Sequence, residues 1–413
     1  MTDATAFPVH GTPADALLAD LDARLSADPD VHGARLFGLV YPTGLHDLEE
    51  LLATVNRRYL FHNALNPFKF PGIAALEADV VAWTGDLLHR TGDGGGSMTS
   101  GGTESILMSM LVNRARARAR GIERPEILVP VSAHPAYAKA AHYFDMDVVR
   151  VPLDADLRAD VAAAASLLTP RTAVVVASAF SYPYGVMDPV ADLAALAAAH
   201  GVGCHVDACI GGFVLPFLER LGVDVPPWDF RVPGVTEVSA DVHKYGFVPK
   251  GASVVLHRDA DWFAHQVFLY DDWPSGMYGS PGVAGARSAA PIATAWAALR
   301  HLGIDGYVDI ARGLLDVTRR FRAGLDAIPE LAVVGAPIGP VMAFTAATTD
   351  LSIEGVGTAM DARGWHLNRI VEPPGLHLML SPAHAGVLDA LLADLRASVA
   401  APGEAGTGPV RYS

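Results

Sequence analysis

The sequence predicts an α/β domain built on a mostly parallel sheet, followed by a small α+β domain. Short β-branched runs alternate with Ala-rich segments of helical spacing, the pattern of buried parallel strands separated by helices. The five predicted strands are EILVPV (126–131), AVVVASAF (173–180), VGCHVDA (202–208), VTEVSA (235–240) and SVVLH (253–257). Because 51% of the 413 residues are hydrophobic and 18% are charged, the chain can bury a large core.

Helical segments flank these strands and divide the chain. IAALEADVVAWTGDLLH and TESILMSMLVNRARARA predict two helices before the first strand, and YVDIARGLLDVTRRFRAGLDAI predicts a long linking helix after the last. LAVVGAPIGPVMAFTA, a helix near 354–363 and LHLML then predict the small domain. The expected divisions are an N-terminal arm and helix (1–60), a large domain (61–300), a small C-terminal domain (301–400) and a tail (401–413).

Composition excludes several classes of partner. The formal net charge of −15 disfavours nucleic acid and anionic membranes, and the basic run RARARAR (114–120) is expected only to end a helix. Cys204 and Cys209 lie in an apolar run and predict small buried thiols, with no metal site. The first residues lack the basic and apolar regions of a signal peptide, so a cytoplasmic location is expected.

The motif MTSGGTES (98–105) places Gly101, Gly102 and Thr103 directly before a predicted helix. Glycines let backbone N–H groups approach an anion, and a helix N-terminus adds positive potential. The motif is neither a P-loop nor GxGxxG, so a phosphate site and a plain glycine-rich turn are both open.

Two polar residues follow predicted strands at the edge where ligands bind in open α/β sheets. Asp207 ends VGCHVD, and His134 comes just after EILVPV. A buried carboxylate needs a partner, and a cationic ring nitrogen would supply one. The alternatives are a helix cap for Asp207 and a cap or core position for His134.

Lys244 lies in SADVHKYGFVPKG (239–251), between a histidine and a tyrosine just after a predicted strand. A solvated surface lysine is the ordinary interpretation. In apolar surroundings, a lysine amine can instead have its pKa lowered enough to form a Schiff base. The order anion turn, His134, Asp207, Lys244 indicates a site for an anionic aldehyde with a basic ring nitrogen, which describes pyridoxal 5′-phosphate (PLP).

These motifs resemble the sphingosine 1-phosphate lyase family, PLP enzymes of aminotransferase fold type I. The resemblance extends from about Tyr41 to residue 382 and is carried by TSGGTESILM, HPAYAKAAHYF, VDACIGGF, SADVHKYGFVPKG, YGSPGVAGAR, GWHLNRI and PGLHLML. Group II decarboxylases, such as glutamate decarboxylase, share the Asp, His and His-Lys elements more distantly. The resemblance implies a large PLP-binding domain with a seven-stranded sheet, a small C-terminal domain and a homodimer.

The resemblance also implies roles by position. Lys244 is the implied Schiff-base lysine, Asp207 the partner of the pyridine nitrogen, and His134 the residue stacked on the ring. The residues implied to hold the cofactor phosphate are Gly101, Gly102, Thr103, Ser239, His243 and, reaching in from the second subunit of the homodimer, Ser280. The residues implied to face the substrate are Tyr41, Tyr278, Asn63 and Lys250.

One segment departs from the family. NALNPFKFPG (63–72) keeps Asn63 and Pro67 but has Asn66 where the family has a histidine that helps bind the substrate phosphate. Asn66 can donate a hydrogen bond but carries no charge. A phosphorylated sphingoid base is therefore in question as the substrate, and a more apolar or differently charged amine is an alternative.

The predicted reaction is retro-aldol cleavage of a β-hydroxy amine to an aldehyde and an amine, with Tyr41, Tyr278 or Lys244 as the base. The nearest alternative is decarboxylation of an amino acid, for which Arg287 or Arg369 would bind the carboxylate. A non-catalytic relative that binds PLP or only dimerises is the third. In each case the expected ligand is a small amine or amino acid.

Overall fold

The computed structural model describes residues 7–404. Within them, a large sheet has the strand order β1-β7-β6-β5-β4-β2-β3. Strand β7 runs antiparallel to its neighbours β1 and β6, whereas the remaining pairs are parallel. The seven strands are β1 (Gly96–Thr99), β2 (Glu126–Pro130), β3 (Asp147–Val151), β4 (Thr172–Ser178), β5 (Gly203–Asp207), β6 (Glu237–Ala240) and β7 (Ser253–His257). The mostly parallel seven-stranded sheet is thus confirmed.

Strands β2, β4, β5, β6 and β7 correspond to the five predicted runs, and every residue in them is buried. The sequence patterns missed β1 and β3. Strand β1 reads GSMT, and β3 reads DVVRV and is only partly buried. Both lie at the edges of the sheet, where continuous apolar runs are not required.

Helices cover the large sheet. Helix α4 ends at Ala119, inside the basic run, as predicted for RARARAR. Cys204 and Cys209 are buried free thiols, also as predicted. The helices up to the end of this sheet are α1 (Ala14–Leu25), α2 (His46–Arg58), α3 (Pro71–Leu87), α4 (Gly102–Ala119), α5 (Ala136–Phe144), α6 (Val161–Leu167), α7 (Val190–Ala199) and α8 (Leu215–Arg220).

A long helix, α10 (Ala289–Asp326), leads from the large sheet to the C-terminal part and packs against α2, α3 and α8. Its Gly303 has φ 56° and ψ −173°, so two helices meet there at a kink. The predicted boundary at residue 300 lies close to this kink and stays a prediction. Before α10 come a short helix, α9 (Ala260–Ala264), and an unpredicted hairpin of β8 (Phe268–Tyr270) and β9 (Tyr278–Ser280).

The C-terminal part is the expected small α+β unit. An antiparallel sheet has the order β10-β11-β13-β12, and Trp365 and Phe344 are fully buried in the core beside it. Its elements are β10 (Leu331–Val333), β11 (Val341–Ala346), α11 (Ile353–Asp361), β12 (Asn368–Val371), β13 (Pro374–Met379) and α12 (Leu388–Ala400).

Helix α1 is exposed along its whole length, and the outermost parts of the predicted arm and tail (1–6 and 405–413) fall outside the described residues. No helix between residues 7 and 404 combines the length and apolar character needed to cross a bilayer. The cytoplasmic location stays a prediction.

Candidate active site

A cavity of about 380 Å³ lies where β4, β5 and β6 end and α4 begins. This is the edge of the sheet at which the sequence places its polar residues. The predicted site residues that line the cavity are Tyr41, Gly101, Gly102, Thr103, His134, Asp207, His243, Lys244 and Lys250. The fold therefore brings the glycine-rich turn, the histidine, the aspartate and the lysine into one site.

The glycine-rich turn is tightly packed on its inner side. A Cβ on Gly102 would lie 2.7 Å from Cys209 Sγ and 2.8 Å from Asp241 Oδ2. Helix α4 begins at this glycine, so its first N–H groups point toward the cavity end of the sheet. The turn is closed by Glu104, whose Oε2 accepts hydrogen bonds from Ser100 N at 2.7 Å and Ser100 Oγ at 2.6 Å.

Asp207 and His134 lie at the same edge of the sheet, at the end of β5 and just after β2, with β4 between these strands. Asp207 is the last residue of β5, and its Oδ1 accepts a hydrogen bond from Cys209 N at 3.1 Å. His134 Nδ1 accepts one from Ala136 N at 3.1 Å. Burial lowers the pKa of His134, with Asp207 opposing that shift, so its ring is neutral at neutral pH. A neutral planar ring is suited to stacking on an aromatic group.

Lys244 forms an ion pair that the sequence analysis did not predict. Its Nζ lies 2.9 Å from Asp241 Oδ2. Burial lowers the pKa of Lys244, but the attraction of Asp241, with smaller contributions from Cys209 and Tyr41, reverses that effect, and the resulting pKa is well above the usual value. The expectation of a lowered pKa for Lys244 is therefore wrong for the free amine, because it overlooked a carboxylate three residues upstream.

His243 and Lys250 are further titratable residues among the predicted ones that line the cavity. Burial lowers the pKa of His243 to about 4, and its Nδ1 accepts a hydrogen bond from Ala252 N at 3.2 Å. Burial, with a further contribution from Lys244, lowers the pKa of Lys250 to about 8. The Lys250 ammonium lies 4.7 Å from the ring centroid of Tyr41, and that ring packs edge-on against Tyr245.

Three predicted residues are engaged elsewhere in their own chain. Asn63 Oδ1 accepts a hydrogen bond from Leu65 N at 2.7 Å, and Asn66 Oδ1 accepts from Phe68 N and Lys69 N at 3.0 and 2.9 Å. These turns lead into α3. Ser239 is fully buried, with its Oγ 3.2 Å from His205 Nε2, and does not line the cavity.

The segment Tyr278–Arg287 does not line the cavity of its own chain, although Val283 N donates to Glu104 Oε1 in the cavity wall at 3.0 Å. Ser280 Oγ donates to Gly282 O and Ala284 O at 3.2 and 3.3 Å. Arg287 forms two contacts of 2.7 and 2.8 Å with the Glu77 carboxylate. The other candidate for a substrate carboxylate, Arg369, is paired with Asp361 at 2.6 Å.

Several lining residues were missed by the sequence analysis. The cavity wall also includes Asp241, Glu104, Tyr182, Cys209 and Met379. Asp241 and Glu104 lie inside motifs that were already singled out, so their charge was the available signal. Tyr182 packs against His377 with ring centroids 4.5 Å apart, and this tertiary contact has no local sequence signal.

Comparison with known proteins agrees with this geometry. The profile described as the pyridoxal-dependent decarboxylase conserved domain matches residues 4–347. Sphingosine-1-phosphate lyase of Oryza sativa subsp. japonica is 39% identical over 404 residues, covering 96% of this chain and 74% of the relative. The Arabidopsis thaliana enzyme is 42% identical over 354 residues, covering 84% of this chain and 64% of the relative.

A solved structure gives the same result. The Burkholderia pseudomallei sphingosine-1-phosphate lyase superposes with a TM-score of 0.91 at 39% identity, covering 96% of this chain and 92% of the other. The chain belongs to the sphingosine-1-phosphate lyase family. The predicted resemblance, the fold type and the PLP cofactor are confirmed, and the protein is a PLP-dependent lyase. Glutamate decarboxylase from Lactobacillus brevis, with a TM-score of 0.85 at 21% identity, shares the fold.

The cavity residues fit the cofactor of this family. The turn at Gly101, Gly102 and Thr103 lines the cavity, and Gly102 has no room for a methyl group on its inner side. An amine (Lys244), a carboxylate held at the end of a strand (Asp207) and a neutral imidazole (His134) face the same space. These groups match the aldehyde, the ring nitrogen and the ring face of PLP in chemical type.

Proposed function

We propose that this lyase breaks the Cα–Cβ bond of a β-hydroxy amine, giving an aldehyde and a shorter amine. The observation that carries the proposal is the convergence of Lys244, Asp207 and His134 at the Gly101–Gly102 turn, in a cavity that no arginine of the described chain lines. Both arginines considered for binding a substrate carboxylate are ion-paired outside it. A decarboxylase acting on amino acids would leave its substrate carboxylate without that partner.

Each residue is assigned a role by its position. Gly101, Gly102 and Thr103, with the N-terminus of α4, bind the cofactor phosphate, and His243 lies next to them. Asp207 binds the ring nitrogen and keeps it protonated, His134 covers the ring, and Lys244 binds the aldehyde carbon. When bound, PLP supplies an electron sink for the pair left on Cα as the bond breaks. Electrostatic stabilisation of that charge by Asp207 carries much of the catalysis.

The base that takes the proton of the β-hydroxyl is assigned to Tyr41 or to Tyr278 of a second copy. Tyr41 lines the cavity of its own chain, whereas Tyr278 and Ser280 lie on a hairpin outside it. We assign this hairpin to the neighbouring site of a homodimer, with Ser280 near the cofactor phosphate. Such an arrangement accounts for two predicted site residues that the single chain holds apart from the rest.

The substrate is assigned as an amine with an apolar chain. A groove of about 640 Å³ adjoins the cavity and shares Tyr41, His243 and Lys250 with it. The apolar residues that line the groove include Val31, Val40, Leu52, Leu60, Phe247 and Val248. An anionic group on the substrate would be bound by Lys250, since Asn66 supplies no charge and is held in a turn.

A matched substrate series tests the assignment. β-Hydroxy amines of increasing chain length, each with and without a phosphate, are assayed for aldehyde by mass spectrometry. Each buried CH2 is worth about 0.8 kcal/mol, so kcat/KM should rise by roughly threefold to fourfold per added CH2 until the groove is filled. Absence of aldehyde from every member would contradict the proposal.

A further inference from the structure

Asp241 is a further carboxylate in the cavity, beside Asp207 and Glu104, and the family roles leave it without a function. It follows the end of β6 and lies under the glycine turn, with 2% of its surface exposed. Its Oδ2 lies 2.9 Å from Lys244 Nζ and 3.6 Å from His243 Nε2. Its Oδ1 is buried and makes no hydrogen bond within the described residues. A carboxylate in this state is costly unless a cation compensates it.

The backbone fixes Asp241 and Lys244 as a pair. Lys244 N donates to Asp241 O at 3.3 Å in a turn, so the two side chains leave the same turn on one side. Asp241 N donates to Cys209 O at 3.3 Å, which ties the turn to the segment after Asp207. The turn therefore holds the carboxylate at a fixed place beside the free Lys244 amine.

We propose that Asp241 is the counter-ion that receives the Lys244 amine after a substrate amine has displaced it from the cofactor, and that it thereby holds Lys244 as an ammonium. The proposal rests on the function proposed above, because it assumes that Lys244 binds the cofactor. It makes Asp241 a positioning residue, which acts through Lys244.

The exchange is balanced in atoms and charge. The substrate arrives as an ammonium, and its nitrogen gives up two protons as it bonds to the cofactor carbon. The bond from Lys244 to that carbon breaks, and the Lys244 nitrogen takes up two protons. With Asp241 present, Lys244 ends as an ammonium and no net proton goes to solvent. Without Asp241, the buried amine would end neutral and one proton would be released.

The other groups around the pair do not replace Asp241. Attraction by Asp241 is the largest influence that opposes the burial of Lys244, and the same lysine lowers the pKa of Asp241 against its own burial. His243 is neutral near pH 7, because burial lowers its pKa to about 4. Of the remaining titratable groups, Cys209 and Tyr41 act on Lys244, and Lys250 acts on His243. His134 is influenced by Asp207, Lys244 and Asp241.

The ammonium state of Lys244 also limits its part in the proton transfers to Cα and from the β-hydroxyl. As an ammonium paired with Asp241, Lys244 is a donor of protons and not an acceptor. It is therefore suited to return a proton to Cα after the bond has broken, and unsuited to remove one from the β-hydroxyl. The role of base then falls to the tyrosines.

The test uses the cofactor-loaded enzyme and n-butylamine, which has no hydroxyl group and cannot be cleaved. Displacement of Lys244 is followed by the visible absorbance of the cofactor, and the dissociation constant is measured from pH 7 to pH 9. The spectrum of the resting enzyme at each pH corrects for titration of the lysine–cofactor link. For the wild type, the dissociation constant should not change with pH, since no net proton is released.

For Asp241→Asn, the dissociation constant should rise at least tenfold at pH 7. It should then fall with pH and approach a tenfold decrease per unit above the lowered pKa of Lys244. Asp241→Glu keeps the charge and should keep a flat profile. The control Asp309→Asn removes an exposed carboxylate that pairs with Arg312 on α10, and should behave as the wild type. A wild-type affinity and a flat profile in Asp241→Asn would overturn the proposal.

A second measurement covers the case in which Asp241→Asn does not retain the cofactor. In the cofactor-free full-length chain, Lys244→Met leaves Asp241 buried without a counter-ion and should lower the urea midpoint. Asp241→Asn added to Lys244→Met should restore most of that loss. Independent, additive effects would overturn the pairing. Because butylamine is not cleaved, failure of the lyase assignment would appear as missing aldehyde and would leave these readouts interpretable.

Discussion

Substitution of Gly102 tests directly whether the Gly101–Gly102 turn holds the cofactor, because the structure shows which atoms an added side chain would meet. In Gly102→Ala, the added methyl would lie 2.7 Å from Cys209 Sγ and 2.8 Å from Asp241 Oδ2. Both distances are shorter than a carbon atom tolerates, and both neighbours are themselves buried. The methyl must therefore displace Asp241, the turn, or both, and either movement disturbs the place where Lys244 and the cofactor phosphate meet.

The cost can be estimated from comparable changes. Inserting a methyl group into a packed interior costs about 1–3 kcal/mol. If the methyl group destabilises the PLP-bound protein by this amount relative to the cofactor-free protein, cofactor affinity should decrease roughly 5- to 150-fold, since about 1.4 kcal/mol corresponds to a factor of ten. Part of the same cost should appear as a lower free energy of unfolding.

The assay titrates cofactor-free protein with PLP and follows the visible absorbance of the bound form. The matched control is Gly313→Ala, on the exposed side of α10, where an added Cβ meets no atom within 4 Å. This control should bind PLP as the wild type does, and should gain up to about 1 kcal/mol in stability because alanine favours helix. Wild-type affinity in Gly102→Ala would refute the assignment of this turn as the cradle.

Three further predictions concern charged residues. Lys244→Ala should lose both the absorbance of lysine-bound cofactor and turnover; retention of both would exclude Lys244 as the cofactor lysine. Because the Lys250 pKa is lowered to about 8, Lys250 is charged below pH 8 and neutral above it, so inhibition by inorganic phosphate should weaken from pH 7 to 9. Lys250→Gln should show weak inhibition throughout, and a wild-type profile in this variant would contradict the role of Lys250. Arg287→Met leaves Glu77 unpaired and should lower the free energy of unfolding by about 3 kcal/mol in urea denaturation, with KM unchanged. A raised KM with wild-type stability would instead identify Arg287 as a substrate contact.

The sequence was sufficient to predict the central strands of the large sheet and the edge of that sheet at which the site lies. Strands β4 and β5 are buried at every residue, because helices cover both faces of a parallel sheet, and their apolar residues made them recognisable. Asp207 could be placed from its position at the end of β5, and Lys244 from its position just after β6. Edge strand β3 could not be predicted, because it is only partly buried and includes charged residues.

What the sequence did not provide were tertiary pairings. The direction of the Lys244 pKa depends on Asp241, and the availability of Arg287 depends on Glu77, far away in the chain. Motif matching identifies residue types but does not show which charges neutralise each other. Tyr278 and Ser280 could not be placed in the site from one chain, because their proposed role requires a second copy.

The central claim, that a Cα–Cβ bond is broken, is tested most directly by product analysis on the purified wild-type protein. Its visible absorbance is recorded first, and phosphorylated sphingoid bases, shorter β-hydroxy amines, β-hydroxy amino acids and ordinary amino acids are then added. The account predicts an aldehyde from the β-hydroxy amines, detected by mass spectrometry, with no carbon dioxide from ordinary amino acids. Carbon dioxide together with a simple amine, and no aldehyde from any substrate, would contradict it.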